Sequence, residues 1–137
     1  MLFFVDPQSG VPIFRQLIDQ VKLHIASGLL KPGNELPSIR SLSIPLGVNP
    51  MTISKAYNLL VHDGVLDRRA GRPLVVAQFD DEELGDRRQE QLQVSLQPAV
   101  NLVAQLEMNS SEAIGLFKSM LQEMKQNTES SGTDREE

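Results

Sequence analysis

Residues 47–60, GVNPMTISKAYNLL, decide the fold that this sequence predicts. Asn49 is a favourable helix N-cap, and Pro50 suits the first helical position, where its missing N–H needs no partner. Four apolar side chains recur at helical spacing and predict one buried stripe: Ile53, Ala56, Tyr57 and Leu60. The opposite side carries short polar or flexible side chains with one formal charge: Met51, Thr52, Ser54, Lys55 and Asn58. A merely solvated helix usually mixes Glu and Lys there, so this face is predicted to meet a partner outside the fold.

Two helices are predicted before this stretch. The first opens at Pro12 and closes at Gly28, and its apolar face consists of Phe14, Leu17, Ile18, Val21 and Ile25. The second begins after the N-cap Ser38 and contains Pro45, which predicts an early end or a kink near the preceding residue. Its inward side chains are Ile39, Leu42 and Leu46. Because Gly47-Val48 joins it tightly to residues 49–60, the pair has the helix-turn-helix pattern.

A β-hairpin is predicted after the helix-turn-helix. Residues 65–69 and 73–77 are β-prone and flank the basic tip Ala70-Gly71-Arg72. A helix-turn-helix followed by such a hairpin is a winged helix. Leu2–Val5 is a further short β-prone run, which predicts a lone strand or an extended arm.

Two amphipathic helices are predicted after the hairpin. Acidic residues 80–83 suit the first turn of one helix, and Asn109 with Glu112 forms a capping-box-like start of the other. The fold class is therefore mainly α with a small β-hairpin wing (α+β), a winged helix-turn-helix followed by two C-terminal helices. We expect a winged-helix domain at 1–78, a two-helix extension at 79–126 and a disordered tail at 127–137, since the tail is polar and rich in Ser, Thr and Glu.

The charge is divided unevenly along the chain. Residues 1–78 carry eight Lys or Arg against five Asp or Glu, a net charge of +3, whereas residues 79–137 carry five against thirteen, a net of −8. Only the first part therefore suits a phosphate-bearing partner.

The composition excludes some classes of protein. No cysteine is present, which excludes disulfides, cysteine-ligated zinc and thiol nucleophiles. The first residues lack the basic region of a signal peptide, and no stretch approaches the ~18 apolar residues of a membrane span. We therefore expect a soluble cytoplasmic protein with no membrane partner.

The sequence resembles the winged-helix domain of the GntR family of bacterial transcription regulators over roughly residues 11–77. Three segments carry the resemblance: GLLKPGNELPSIR at 28–40, GVNPMTISKAYNLL at 47–60 and RRAGR at 68–72. The short two-helix extension is similar to the YtrA subfamily, which lacks the larger ligand-binding domains of other subfamilies. The resemblance implies a sequence-specific DNA-binding transcription regulator. We predict a repressor that binds a palindromic operator as a homodimer, although the residues themselves do not distinguish repression from activation.

The resemblance also implies particular DNA contacts. Arg40 stands where the family's arginine follows the Pro-Ser motif, Thr52 matches a threonine of the recognition helix, and Gly71-Arg72 matches the wing tip. The chain departs from the family at Pro50 and Ser54, where arginine is frequent. It departs further at Pro45, usually a helix former, and at Pro73, where glycine is common. The operator of better-studied relatives is therefore not transferable.

The predicted DNA-binding residues follow from how a winged helix docks, with its recognition helix in the major groove and its wing along the backbone or in the minor groove. They are Ser38, Arg40, Asn49, Met51, Thr52, Ser54, Lys55, Gly71 and Arg72. Because the helix has no arginine for bidentate readout of guanine, we hypothesise that specificity depends on Arg40, Arg72 and DNA shape as much as on the helix. A plain surface role remains the alternative for Arg40. Of Arg68 and Arg69, at most one is expected to face DNA, since they alternate on a strand.

Dimerisation is expected because one small module with a net charge of +3 would discriminate poorly between DNA sequences. The predicted dimer interface consists of Leu92, Leu96, Val100, Val103, Ile114, Phe117, Met120 and Met124. The alternative is that these side chains pack only on their own winged-helix domain.

Other functions have less support in the sequence. No nucleophile with a base, metal-spaced cluster or phosphate-binding glycine loop is evident, so neither an enzyme nor a cofactor is expected. A winged helix used as a protein-interaction module within a larger complex is the alternative function. A small-molecule effector would have to bind at the dimer interface or between the winged-helix domain and the extension, and no residue identifies such a site.

Overall fold

The computed structural model describes residues 2–133, which form five helices and one hairpin. The helices are α1 (Ile13–Ser27), α2 (Ile39–Leu46), α3 (Pro50–His62), α4 (Asp81–Gln105) and α5 (Ser110–Thr133). The strands are β1 (Leu66–Asp67) and β2 (Val75–Val76), between α3 and α4. The predicted fold class, a winged helix-turn-helix followed by two helices, is thus confirmed.

The core lies between α1, α2, α3 and the hairpin. The stripe predicted on α3 is buried, with Ile53, Ala56 and Leu60 at 0% exposure and Tyr57 at 4%. On α1 the buried side chains are Leu17, Ile18, Val21, Ile25 and Ala26. Apolar side chains at helical spacing on α1 and α3 therefore form one continuous hydrophobic core.

Helix α2 begins at its predicted N-cap and ends at the glycine turn that leads into α3. Ser38 Oγ accepts a hydrogen bond from Ser41 N at 3.1 Å, and Gly47 ends α2 in the left-handed conformation at φ +63°. An early end or a kink was expected near Ile44, and α2 includes Pro45 and ends one residue later, at Leu46. A proline in the last turn of so short a helix removes only one hydrogen bond, to the carbonyl of the exposed Ser41.

The hairpin is shorter than predicted. Its strands pair antiparallel with Leu66 opposite Val76 and Asp67 opposite Val75, which leaves residues 68–74 as the connection. The other edge of β2 is occupied by residues 33–36, where Leu36 N donates to Leu74 O at 2.8 Å and Val76 N donates to Asn34 O at 2.9 Å. This pairing holds the segment that leads into α2 directly beside the wing.

The N-terminal residues form an extended arm rather than a strand. Side chains one helical turn apart on α1 hold its backbone: Gln16 bonds Asp6, Gln20 bonds Phe4, and His24 Nε2 lies 2.8 Å from Leu2 O. Phe3 is buried in the core at 1% exposure, so the arm closes one side of the hydrophobic core.

The chain divides into two compact units, 1–93 and 94–137. The division falls within α4. The first turns of α4 belong to the first unit, where Arg88 Nε donates to Ala26 O at 3.0 Å. Within residues 2–133, no helix is both long and apolar enough to cross a membrane.

The expected tail overlaps the last helix in part. Residues 127–133 continue α5, whereas 134–137 lie outside the described residues. No proline interrupts residues 127–133, and a helix that is already nucleated gains one hydrogen bond for each residue it adds, which favours this continuation.

Candidate nucleic-acid interface

The start of α3 presents exposed side chains on a well-capped helix end. Asn49 Oδ1 accepts a hydrogen bond from Met51 N at 2.9 Å, so the asparagine is the predicted N-cap. Met51 is 78% exposed, which is unusual for so large an apolar side chain, while Thr52 and Ser54 are half-buried. The cap thus orders the backbone of the first turn, and the first two turns carry one apolar and two hydroxyl side chains.

A groove of about 550 Å³ lies between the N-terminal end of α2, one face of α3 and the wing. Four predicted residues line it: Ser38, Ser54, Gly71 and Arg72. Its remaining polar side chains are Tyr57, Asn58, Arg68 and Arg69. All three arginines are exposed, so the wing side of the groove presents cations while the α3 side presents hydroxyl and amide groups. Such a combination can pair with phosphates and with base edges.

A buried tyrosine joins α3 to the segment before α2. Tyr57 OH donates a hydrogen bond to Pro37 O at 2.8 Å. Burial raises the pKa of the Tyr57 phenol well above its ordinary value, so the hydroxyl remains a neutral donor at physiological pH. This bond holds Ser38, the next residue, against the floor of the groove.

The wing contacts α3 through side chains. Arg68 Nη2 donates to Asn58 Oδ1 at 2.6 Å, and Asn58 Nδ2 donates to Ser54 Oγ at 3.4 Å. Asn58 lies one turn after Ser54 on the same helix face, which is why a single amide can connect the helix to the hairpin.

Lys55 lies on the other side of the exposed face. Its Nζ is 3.9 Å from the centroid of the Phe14 ring, a cation–π contact with α1. Lys55 and Ser54 line a second, shallower depression of about 410 Å³, together with Met51, Asn58 and Leu59. Ser54 and Asn58 border both depressions, so they lie at the centre of the exposed face.

The predicted site residues are therefore only partly brought together. Ser38, Ser54, Gly71 and Arg72 share the groove, and Met51, Ser54 and Lys55 share the shallow depression. Three predicted residues line neither: Arg40, Asn49 and Thr52. Arg40 lies exposed on α2, the amide oxygen of Asn49 is engaged as the cap, and Thr52 is half-buried.

Three groove residues are absent from the predicted DNA-binding set. They are Asn58, which the sequence placed on the polar face of α3, and Arg68 and Arg69, of which at most one was expected to face DNA. Asn58 follows Ser54 by four residues and so shares its helix face. Arg68 and Arg69 belong to the basic wing segment, but the sides on which their side chains lie depend on where the short strand β1 ends.

Comparisons with known proteins agree with this geometry. Residues 14–76 match the bacterial regulatory proteins of the gntR family. The HTH-type transcriptional repressor YtrA of Bacillus subtilis (strain 168) is 39% identical over 74 residues, which cover 54% of this chain. The match spans 57% of that relative's length.

Two solved structures extend the likeness over most of the chain. YtrA from Sulfolobus acidocaldarius, a GntR-family transcription factor, is 35% identical with a TM-score of 0.53, and the match covers 88% of this chain and 97% of that one. A GntR family transcriptional regulator from Listeria monocytogenes is 22% identical with a TM-score of 0.72, over 82% of this chain and 97% of that one, and supports the fold alone. This chain therefore belongs to the GntR family of bacterial regulatory proteins.

Proposed function

We propose that this protein is a cytoplasmic transcription repressor that binds a palindromic DNA operator as a homodimer. The observation that carries the proposal is the groove between α2, α3 and the wing, in which three exposed arginines face the hydroxyl and amide side chains of α3. Repression is proposed by analogy with the B. subtilis relative, whose name describes a transcriptional repressor.

The charges and shape of the groove support DNA as the ligand. Arg69 and Arg72 suit phosphate oxygens, while Ser54 and Met51 suit base edges and a thymine methyl group in the major groove. Lys55 suits a phosphate beyond the shallow depression. The side-chain oxygens of Asn49 and Ser38 cap the N-termini of α3 and α2, and a helix N-terminus favours an anionic group such as a phosphate.

The C-terminal helices support a homodimer. Six of the eight predicted interface residues are 41–66% exposed in one chain: Leu92, Val100, Ile114, Phe117, Met120 and Met124. The other two, Leu96 and Val103, are half-buried. Amphipathic helices gain most of their stability by packing an apolar face, so these helices need another surface to cover them. A second copy of the chain supplies the same apolar side chains and would duplicate the groove for the second half of a palindrome.

Selection from a random double-stranded DNA library by the full-length protein tests the proposal. We expect enrichment of two half-sites in inverted orientation, with centres separated by about one helical turn of DNA or a multiple of it. Absence of an enriched inverted repeat would refute the proposed function and would favour a protein-interaction module.

The selected DNA then tests the groove. If Arg72 reads a base, Arg72→Ala is expected to weaken binding by about 1–3 kcal/mol. If Arg72 contacts a phosphate, the variant is expected to lower the slope of log affinity against log salt concentration by about one unit. Lys31→Ala removes the same charge from an exposed residue that does not line the groove, and serves as the matched control. Equal effects of the two variants would contradict the assignment of Arg72.

A further inference from the structure

The wing arginines are not equivalent. Arg68 Nη2 lies 2.6 Å from Asn58 Oδ1, a short hydrogen bond from a cation to an amide oxygen. The Asn58 amide in turn donates to Ser54 Oγ at 3.4 Å. Among residues 2–133, neither Arg69 nor Arg72 has a side-chain hydrogen bond or ion pair. Arg68 is therefore engaged within the protein, whereas Arg69 and Arg72, which also line the groove, have no such partner in the described part of the chain.

The engagement of Arg68 determines what Asn58 can do. An asparagine reads adenine by accepting a hydrogen bond with Oδ1 and donating one with Nδ2. In this structure Oδ1 accepts from Arg68 and the Nδ2 group points to Ser54. The pair therefore directs both ends of the amide toward protein partners and away from an adenine edge.

We propose that Arg68 is a positioning residue that acts through Asn58 and Ser54 to set which bases the exposed face of α3 accepts, a role that rests on the proposed DNA-binding function. The bond links residues ten positions apart, one on the recognition helix and one at the end of β1. It holds the wing at one distance from α3 and presents the Ser54 hydroxyl, rather than the Asn58 amide, to the major groove. Arg68 thereby contributes to sequence discrimination without contacting the DNA itself.

A double-mutant cycle separates this role from a phosphate contact. Arg68→Ala, Asn58→Ala and the double variant are compared on the DNA that the wild-type protein selects. Each single change is expected to weaken binding about three- to tenfold, and the double variant should be no weaker than either, since both remove the same interaction. Arg69→Ala, which removes the same charge from the same groove, should not couple to Asn58→Ala.

Salt dependence and base preference supply the second readout. Arg68→Ala is expected to leave the slope of log affinity against log salt unchanged, because no phosphate contact is lost. Repeating the selection with Arg68→Ala should give a site with a changed base at the positions that face Ser54, with adenine the base favoured by a released Asn58. Arg68→Lys retains one donor and should restore part of the wild-type preference.

The outcomes that overturn the inference are distinct from those that overturn the function. Additive effects of Arg68→Ala and Asn58→Ala, or a salt slope lowered by about one unit in Arg68→Ala, would show an independent phosphate contact. If the wild-type protein selects no sequence, the proposed function fails and the role in specificity fails with it.

The hydrogen bond is tested separately without DNA, since the NMR resonances of the Asn58 side-chain amide should move in Arg68→Ala and stay in place in Arg69→Ala. Unmoved resonances in Arg68→Ala would refute the bond.

Discussion

Replacement of Tyr57 with Phe should lower the free energy of unfolding by about 1 kcal/mol. Tyr57 is 4% exposed, and its ring packs in the core between α3 and the segment before α2. The substitution keeps the ring and removes only the hydroxyl, which donates to Pro37 O at 2.8 Å. The loss should stay near 1 kcal/mol rather than 3, because Pro37 is partly exposed and water can replace the lost donor.

The matched comparison is Tyr57→Ala, which also removes the ring. Loss of a buried aromatic side chain typically costs about 3–5 kcal/mol, so the two variants separate the hydroxyl from the hydrophobic contribution. Urea unfolding followed by circular dichroism measures both. All proteins are compared at one chain concentration, because a dimer's apparent stability depends on concentration.

Two results would refute this reasoning. If Tyr57→Phe were as stable as the wild type, the bond to Pro37 would contribute nothing to stability. If Tyr57→Phe lowered the free energy of unfolding as much as Tyr57→Ala, the hydroxyl would stabilise the fold by far more than one hydrogen bond can. A changed slope of the free energy of unfolding against urea concentration in Tyr57→Phe would indicate instead that the mutation altered the exposed surface of the folded or the unfolded state.

Three further predictions concern pH, the core and the dimer. Burial raises the pKa of the Tyr57 phenol, so the unfolded chain releases this proton at a lower pH than the folded chain. The free energy of unfolding of the wild type should therefore fall relative to that of Tyr57→Phe as the pH rises above about 10. Parallel pH profiles of the two proteins would contradict this. Leu60→Ala, at a side chain with 0% exposure, should lower the free energy of unfolding by about 2–5 kcal/mol in the same urea assay, and a loss below about 1 kcal/mol would argue against the packed core. Phe117→Glu should shift the protein toward monomer in analytical ultracentrifugation, because it places a charge on the apolar face of α5. Gln122→Glu adds the same charge on the polar side of α5 and should remain dimeric. A Phe117→Glu variant that is still fully dimeric would exclude this face from the interface.

Much of the winged-helix domain could be predicted from local patterns. The buried stripe of α3 and the caps at Ser38 and Asn49 depend on residues within one or two helical turns, so spacing and residue type were sufficient. The wing tip with Gly71 was predictable for the same reason, since Gly71 adopts a positive φ of 68° in a tight turn. Family resemblance added the expected DNA-contacting positions, which remain predictions.

The local patterns failed where non-local contacts decided the outcome. The strands were predicted too long because β-propensity does not show which residues find a pairing partner, and β2 pairs with residues 33–36 as well as with β1.

The sequence by itself determined the helices, their caps, the buried stripes and the basic wing, because each depends on interactions between residues a few positions apart. Only the tertiary structure decided how the groove is built. Asn58 meets Arg68 because the hairpin folds back on α3, and Ser38 reaches the groove because Tyr57 holds the preceding carbonyl. These contacts join residues ten and twenty positions apart, and no local periodicity specifies such distances. The residues 47–60 therefore predict a recognition helix, whereas the partners that orient its polar face depend on the packing of the whole domain.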